Sequence, residues 1–471
     1  MPYFDLDVHA KNPALRIVIV GGGIAGLSCA LALARAGFNN VQIFDRARSL
    51  DDAEVGAGLQ LAPNFTRCLA RFGLLEEVRR YAVATSTISL RRYIDNEVTG
   101  SAPMMPEIEQ KYGSPLWVAH RADLQRTLLS AVRKAGVDII TNAQVTEVAF
   151  EDPPKIRIDG RENWVESDVL IAADGVKSVV RKQLLALHGT EDRAHATGDA
   201  AYRITIPREK LLPHPDLLAM LDSSTAYRWM GPSGHIMAYA IRAHEVFNMV
   251  LAHPDKNDAV ESWTSKGSKE EMMETYKDWN SVVKRLLDFV EPDKVLEWKL
   301  MDHLPLPTWI EGNVALMGDA CHPMLPYVAQ GAAQAVEDAA VLAAVLSGVK
   351  FPARPTSHEN ANARLSTTRQ IRNALALYQS VRKDRAERIQ ASAAKTRVAL
   401  HLPDGPKQVE RDEAIRNAAQ GGRNPDQWAD AEWQAYMYGV DTTREALNRL
   451  SEVTGSVKTM DGETGPAGLV Y

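Results

Sequence analysis

Three glycines, Gly21, Gly23 and Gly26, stand in the spacing G-x-G-x-x-G directly after the β-branched run RIVIV at residues 16–20. Each has its own physical task. The first permits a tight turn out of a strand, the second lets backbone approach a pyrophosphate, and the third allows a helix to pack closely on that strand. An anion would then rest at a helix N-terminus, where unpaired N–H groups and the macrodipole favour negative charge. Asp45 closes a second apolar run, VQIFD at 41–45; a carboxylate about 20 residues beyond such a loop accepts hydrogen bonds from ribose hydroxyls. An acid there disfavours a 2′-phosphate, so the expected ligand is NAD or FAD rather than NADP, a distinction that the adjacent Arg46 weakens.

Two later stretches share one design, an apolar strand ending in a small-acidic pair: DVLIAADG at 168–175 and NVALMGDA at 313–320. Asp174, followed by Gly175, and Asp319 therefore sit at strand-to-turn junctions. Beyond Asp319 the run AQGAAQAVEDAA opens a helix. Its first amides, around Gly331 and Ala332, would offer partial positive charge to a ligand. Cys321-His322 invites a metal or nucleophile reading, but neither partner ligands nor a triad pattern lies nearby in sequence, so no metal site is expected.

These residues need elements to hold them. After the glycines, SCALALARAG repeats apolar residues at helical spacing (Leu27, Ala30, Leu31, Ala34). Strand, glycine turn, helix and strand make a βαβ unit, the building block of parallel sheets. TAYRWM at 225–230 and HIMAYAIR at 235–242 alternate like strands of an antiparallel sheet. From about 368 to 400, Ile371, Leu375, Tyr378, Val381 and Ile389 mark a long helix packed on the body, its many Arg and Lys solvated. Residues 350–365 read as a loop and those from about Ser456 as a frayed tail.

The 471 residues, 45% hydrophobic and 24% charged, suffice for two intimately packed domains at roughly 150 residues each, or one with an insertion. Net charge −6 and pI near 6.1 give no footprint for a polyanion, so nucleic acid is not expected as a partner. Cys29, Cys68 and Cys321 are odd in number and form no CxxC, which fits a reducing, cytoplasmic setting. Glycines interrupt the most apolar stretch, Leu15 to Ala36, and neither a membrane span nor a secretory signal is expected.

Taken together, GGGIAGLSCALALARAG (21–37), AADGVKSVVR (172–181) and ALMGDACHPMLPYVAQGAAQAVEDAAVLA (315–343) resemble the three motifs of the group A flavoprotein monooxygenases, the family of para-hydroxybenzoate and salicylate hydroxylases. The resemblance covers about residues 15–400. It implies a Rossmann-like (GR2-type) α/β FAD-binding domain with an inserted mixed or antiparallel substrate sheet and C-terminal helices. The expected divisions are 12–185 (interleaved with substrate-domain strands) and 301–350 for the FAD domain, 186–300 for the substrate sheet, 351–455 for a helical region and 456–471 for a flexible tail. The resemblance also puts Asp319, Gly331 and Ala332 at FAD, Asp174-Gly175 near its phosphates and a transient nicotinamide nucleotide, Arg121 where an arginine reaches FAD, and Gly58 in a GAG segment beside the flavin. Two positions depart from the pattern: Asp45 stands where many relatives have glutamate, and Cys321 where alanine is usual.

With a single dinucleotide fingerprint, NAD(P)H is expected to visit, deliver hydride to bound FAD and leave. The family's chemistry then uses O2 to form a C4a-hydroperoxyflavin, whose electrophilic oxygen attacks a carbon ortho or para to a phenolate. A buried cation with a hydroxyl donor is the simplest device for holding that phenolate. Arg203 and Tyr239 match the substrate arginine and tyrosine of a fungal subgroup that hydroxylates and dearomatises resorcinol-type polyketides. His235, four residues before Tyr239, would share its strand face and handle protons, or be a packed core histidine. Tyr227, Trp229 and Met230 read as core more readily than as pocket. Alternatives are a salicylate-type hydroxylase, in which Arg203 meets a carboxylate, and a non-catalytic flavin-binding protein. The absence of WxWxIP disfavours a flavin halogenase. A monomer or homodimer is expected.

Overall fold

The computed structural model describes residues 9–51, 57–192, 194–255, 265–350, 360–454, 456–458 and 464–466. Its first layer is a six-stranded sheet with Ile17–Val20 near the centre, flanked by Val41–Phe44 and Val169–Ala172. Outside these lie Asp138–Ile140 on one edge, then Val314–Leu316 and Ile310–Glu311 on the other. All pairings are parallel except the last. A parallel sheet is covered on both faces, so its strands must be apolar throughout rather than alternating; every residue of Ile17–Val20 and Val169–Ala172 is indeed buried. The fingerprint helix, Ile24–Arg35, and the helix Gly331–Ser347 share the core cluster with this sheet.

An eight-stranded mixed sheet forms the second layer. Its order is Ser265–Lys266, Leu296–His303, Ala194–Pro207, Val246–Pro254, Gly234–Ile241, Thr225–Gly231, Thr87–Arg92 and Val98–Pro103. The last two strands come from the segment that also supplies the cofactor sheet, so the layers interleave in sequence. Only Thr225–Gly231 with Thr87–Arg92 runs parallel. Because side chains alternate along a strand, one face packs Tyr202, Ile204, Trp229 and Phe247 into a core, while Arg203, Val250, Met237 and Arg228, opposite one another across four strands, face a cavity. Tyr227 and Trp229 are core residues, Met230 joins a further core cluster, and none of the three lines the cavity.

The long helix spans Asn360–Leu400. It begins inside the stretch read as loop, since no glycine or proline follows Pro355 to break it. Ile371, Leu375, Tyr378, Val381 and Ile389 are buried as expected. Its cations are not uniformly solvated, however: Arg382 and Arg385 are buried against Glu337 and Asp338 of the helix Gly331–Ser347. Within the tail read as flexible, Ser456–Lys458 pairs antiparallel with Thr464–Pro466, their backbone groups satisfying one another; its other residues lie outside the described set. Among the described residues no helix is long and apolar enough to cross a membrane.

Candidate active site

The glycine loop is built by close approach. Gly21 adopts φ +103°, and a Cβ there would stand 2.4 Å from the Ala173 carbonyl oxygen; at Gly26 it would stand 1.9 Å from that of Gly21. Strand, turn and helix therefore pack as closely as only glycine allows. Gly23, with nothing within 4 Å of a Cβ position, opens instead onto a cavity of about 330 Å³. The N-terminal residues of two helices border it, the cap Gly23 with the first residue Ile24 at one, and the first two residues Gly331 and Ala332 at the other. Their unpaired amides make two anion-favouring ends at a single cavity.

The cavity wall also carries Gly58, Arg121, Arg203, His235, Tyr239 and Asp319. Gly58 leaves no room for a side chain: a Cβ would lie 2.6 Å from the Tyr239 ring, and its N–H donates to Asn248 Oδ1 at 2.7 Å. The part of the GAG segment before Ala57 lies outside the described residues. Arg121 opens the helix Arg121–Lys134 behind the His120 cap. Asp319 sits in the turn Gly318–Ala320, exposed, and borders a second cavity of about 560 Å³ that also meets Arg121 and Arg203.

Four expected cofactor residues do not line the cavity. Gly21 and Gly26 shape the turn beneath it. Asp45 accepts from the N–H groups of Gly22 (2.6 Å) and Ala47 (2.7 Å), which fixes its carboxylate at the loop. Asp174 accepts from Val179 N–H (2.8 Å) at the start of the helix Val179–Leu187, while its neighbour Gly175 faces the cavity. Burial raises the Asp174 carboxyl above its ordinary range, against the hydrogen bonds that lower it.

Arg203 is half-buried, and it borders the first and second cavities and a third of about 160 Å³. Its guanidinium stacks 4.0 Å over Trp298. Nε has no hydrogen-bond partner, and no ion pair joins Arg203 to any described residue. Burial and the like charge of Arg121 lower it to about 10, with the Tyr239 hydroxyl opposing. Tyr239 is buried, and burial pushes its phenol upward, so it stays a neutral donor. His235 shares its strand face as expected; its Nδ1 is 2.8 Å from Nε2 of His401, and burial followed by the charges of His401 and Arg228 lowers it well below the ordinary imidazole range.

Sequence reasoning missed several wall residues. Arg228, one strand over from Met237, is buried and paired with Asp426, and Trp428 stacks beneath it at 5.0 Å. Its alternation with Tyr227 and Trp229 was the available signal. Tyr327 lines the cavity with its hydroxyl donating to Asp199 at 2.5 Å. Arg181, inside the second motif, binds Asp192 (3.0 Å) and the carbonyl oxygens of Val176 and Ala320, tying two motif turns together. Cys321-His322 does have a third potential ligand: Asp338 Oδ2 lies 2.6 Å from His322 Nε2, brought there by the helix turn. Asp338 is already committed to Arg382 and to Gly318 N–H, and burial raises the Cys321 thiol well above its ordinary value.

Residues 14–367 match the family described as FAD binding domain, and the chain belongs to that family; it is a flavoprotein monooxygenase. FAD-dependent monooxygenase OpS4 of Beauveria bassiana (strain ARSEF 2860) is 38% identical over 433 residues, covering 91% of this chain and 95% of that one. The 3-hydroxybenzoate 6-hydroxylase of Polaromonas naphthalenivorans (strain CJ2) is 32% identical over 436 residues, covering 91% and 97%. Among solved structures, a salicylate hydroxylase substrate complex aligns with TM-score 0.73 and 23% identity over 93% of this chain and 98% of that one. CtdE in complex with FAD and a substrate aligns with TM-score 0.74, at 22% identity over the same shares. At these identities the structural likeness is one of fold.

The residues present fit FAD. The side-chain-free cradle at Gly23, two helix N-termini at one cavity and the Asp45 carboxylate at the glycine loop offer complements to a pyrophosphate, an electron-poor ring edge and a ribose respectively.

Proposed function

We propose that this monooxygenase uses NAD(P)H and O2 to hydroxylate a small phenolic substrate held as its phenolate by Arg203, and that the substrate is a resorcinol-type polyketide of secondary metabolism, dearomatised as it gains oxygen. The enzyme acts in the cytoplasm as a monomer or homodimer. The observation that carries this reading is the guanidinium of Arg203 on the cavity wall, paired with no carboxylate among the described residues and with Nε unpartnered. Enclosed cations are ordinarily paired, so this one is kept for an anion that arrives. Fungal relatives named FAD-dependent monooxygenases, OpS4 and atnJ of Arthrinium sp, support the oxygenation reading at 38% and 36% identity.

FAD, when bound and reduced, would supply the electrons that activate O2, the source of the oxygen atom gained by the substrate. The chain's own residues do the rest. Arg203 lowers the pKa of a phenol placed against it, since a nearby opposite charge favours the ionised form. Trp298 holds the guanidinium plane by stacking. Tyr239, kept protonated, donates a hydrogen bond that orients the ring, and Val250 and Met237 give the substrate an apolar floor. Asp45, Gly23, Asp319, Gly331 and Ala332 hold the cofactor, assisted by Arg121 and Gly58.

The test is stopped-flow flavin reduction with NADH and NADPH against resorcylaldehydes and hydroxybenzoic acids, followed by product analysis. Resorcylaldehydes are expected to speed reduction and gain oxygen. Preferential oxygenation of salicylate would assign Arg203 to a carboxylate instead, and a panel in which no aromatic gains oxygen would overturn the proposal.

A further inference from the structure

Behind the cavity wall lies a chain of polar groups that binding alone does not use. His235 lines the cavity, and its Nδ1 is 2.8 Å from Nε2 of His401, the residue after the long helix. On its other side, Nδ1 of His401 faces Oδ2 of Asp199 at 3.8 Å. Asp199 is buried and gripped by Arg397 (2.5 and 2.6 Å) and by the Tyr327 hydroxyl (2.5 Å). Arg397 reaches the surface, with its side chain 35% exposed. Backbone fixes the arrangement: the His401 carbonyl accepts from Ser233 N–H at 3.1 Å, holding the helix end against the turn before His235.

We infer that His235, His401 and Asp199 form a proton conduit that takes the phenolic proton from the substrate and releases it to water beside Arg397. The inference rests on the phenolic reading above and adds residues to it. The tautomers follow from the acid at the far end. The Asp199 carboxylate favours a proton on Nδ1 of His401, leaving Nε2 as an acceptor for Nδ1–H of His235. The nitrogen of His235 left to meet a ligand is then Nε2, a lone pair that bonds no described residue. On ionisation the substrate O–H bond breaks and an Nε2–H bond forms on His235. Its Nδ1 proton passes to His401 Nε2, and the Nδ1 proton of His401 passes to Asp199, once the 3.8 Å between them closes to hydrogen-bond distance, and on to solvent; one proton leaves and no electrons move.

The surrounding charges suit transit rather than storage. His235 is faced by His401, Arg228 and the Tyr327 ring, and His401 by Asp199, Arg397, Arg228 and Tyr327. Burial, with the two arginines, lowers His401 to about 4 against the pull of Asp199. Both rings are therefore neutral near pH 7 and ready to accept. His235 is the catalytic member, since it faces the cavity; His401 and Asp199 are positioning residues that act through it.

Two measurements on the FAD-loaded enzyme test this. Imidazole nitrogen NMR without substrate should show both rings neutral and protonated on Nδ1; a His235 protonated on Nε2 overturns the conduit, whatever the substrate. In turnover with a resorcylaldehyde, His401→Asn should lower kcat at acidic pH on the order of 10²-fold, the lower end of what positioned proton transfer supplies. KM and flavin absorbance should stay unchanged. The deficit should shrink as pH rises towards the phenol's own pKa, where solvent ionises the substrate unaided. Asp199→Asn should reproduce the profile without removing a ring. An equal deficit at every pH, or none, overturns the inference. Wild-type enzyme that oxygenates no phenol defeats the phenolic reading separately, and the nitrogen spectra still decide the conduit.

Discussion

Where the helix Gly331–Ser347 packs on the long helix Asn360–Leu400, the enclosed guanidiniums of Arg382 and Arg385 are matched by Glu337 and Asp338, with Asn64 and Gln334 satisfying further atoms. Arg203, on the cavity wall, has a stacking partner and no carboxylate among the described residues. Opposite charge raises Arg382, whereas burial and a like charge lower Arg203. The same side chain thus serves two ends. Matched, it locks helices together and is costly to disturb, because removing one partner leaves a buried charge alone. Unmatched, it costs the fold free energy that an arriving anion returns.

The sharpest way to break this contrast is to remove an acid from the matched set. Glu337→Ala takes from Arg385 its carboxylate and from Arg382 one of two, and should destabilise the fold by about 3–5 kcal/mol; urea denaturation reads the change, and a midpoint like wild type would show the network to be idle. Arg203→Ala should do the reverse. FAD content and the urea midpoint should hold, while kcat/KM for the phenolic substrate falls on the order of 10²–10³-fold, as when one preorganised donor is lost. A variant that loses cofactor or unfolds early would make Arg203 structural. The smallest effect belongs to a third kind of pair, Arg423 with Glu432, whose side chains are 82% and 70% exposed: Arg423→Ala should change stability by about 0–1 kcal/mol. A larger shift would mean that burial does not govern the contrast.

The cofactor half was legible because its rules are local. A glycine's task is visible from its spacing, and RIVIV, VQIFD, DVLIAADG and NVALMGDA each became a strand of one sheet. His235 and Tyr239 came to one face because strands alternate with period two. The same rule, applied to Arg228, would have put it on the cavity side of a strand whose Tyr227 and Trp229 are core. Arg382 and Arg385 were misjudged as solvated although a signal existed. Tyr378, Arg382, Arg385 and Ile389 follow one another at spacings of three or four and so share a stripe, and the mostly apolar run of Gly331–Ser347 carries two adjacent acids that need such partners. No local pattern announces Asp426 behind Arg228 or His401 behind His235. Those partners are far apart in sequence, and only the folded layers bring them together.

Trp428 completes the wall of a cavity whose floor begins at Gly23, and this sets an order of events during synthesis. At about 5–20 residues per second a ribosome needs on the order of tens of seconds to travel between them. Throughout that interval the part of the wall that Trp428 supplies has not been made. A complete chamber therefore waits for the C-terminal segment that carries Trp428.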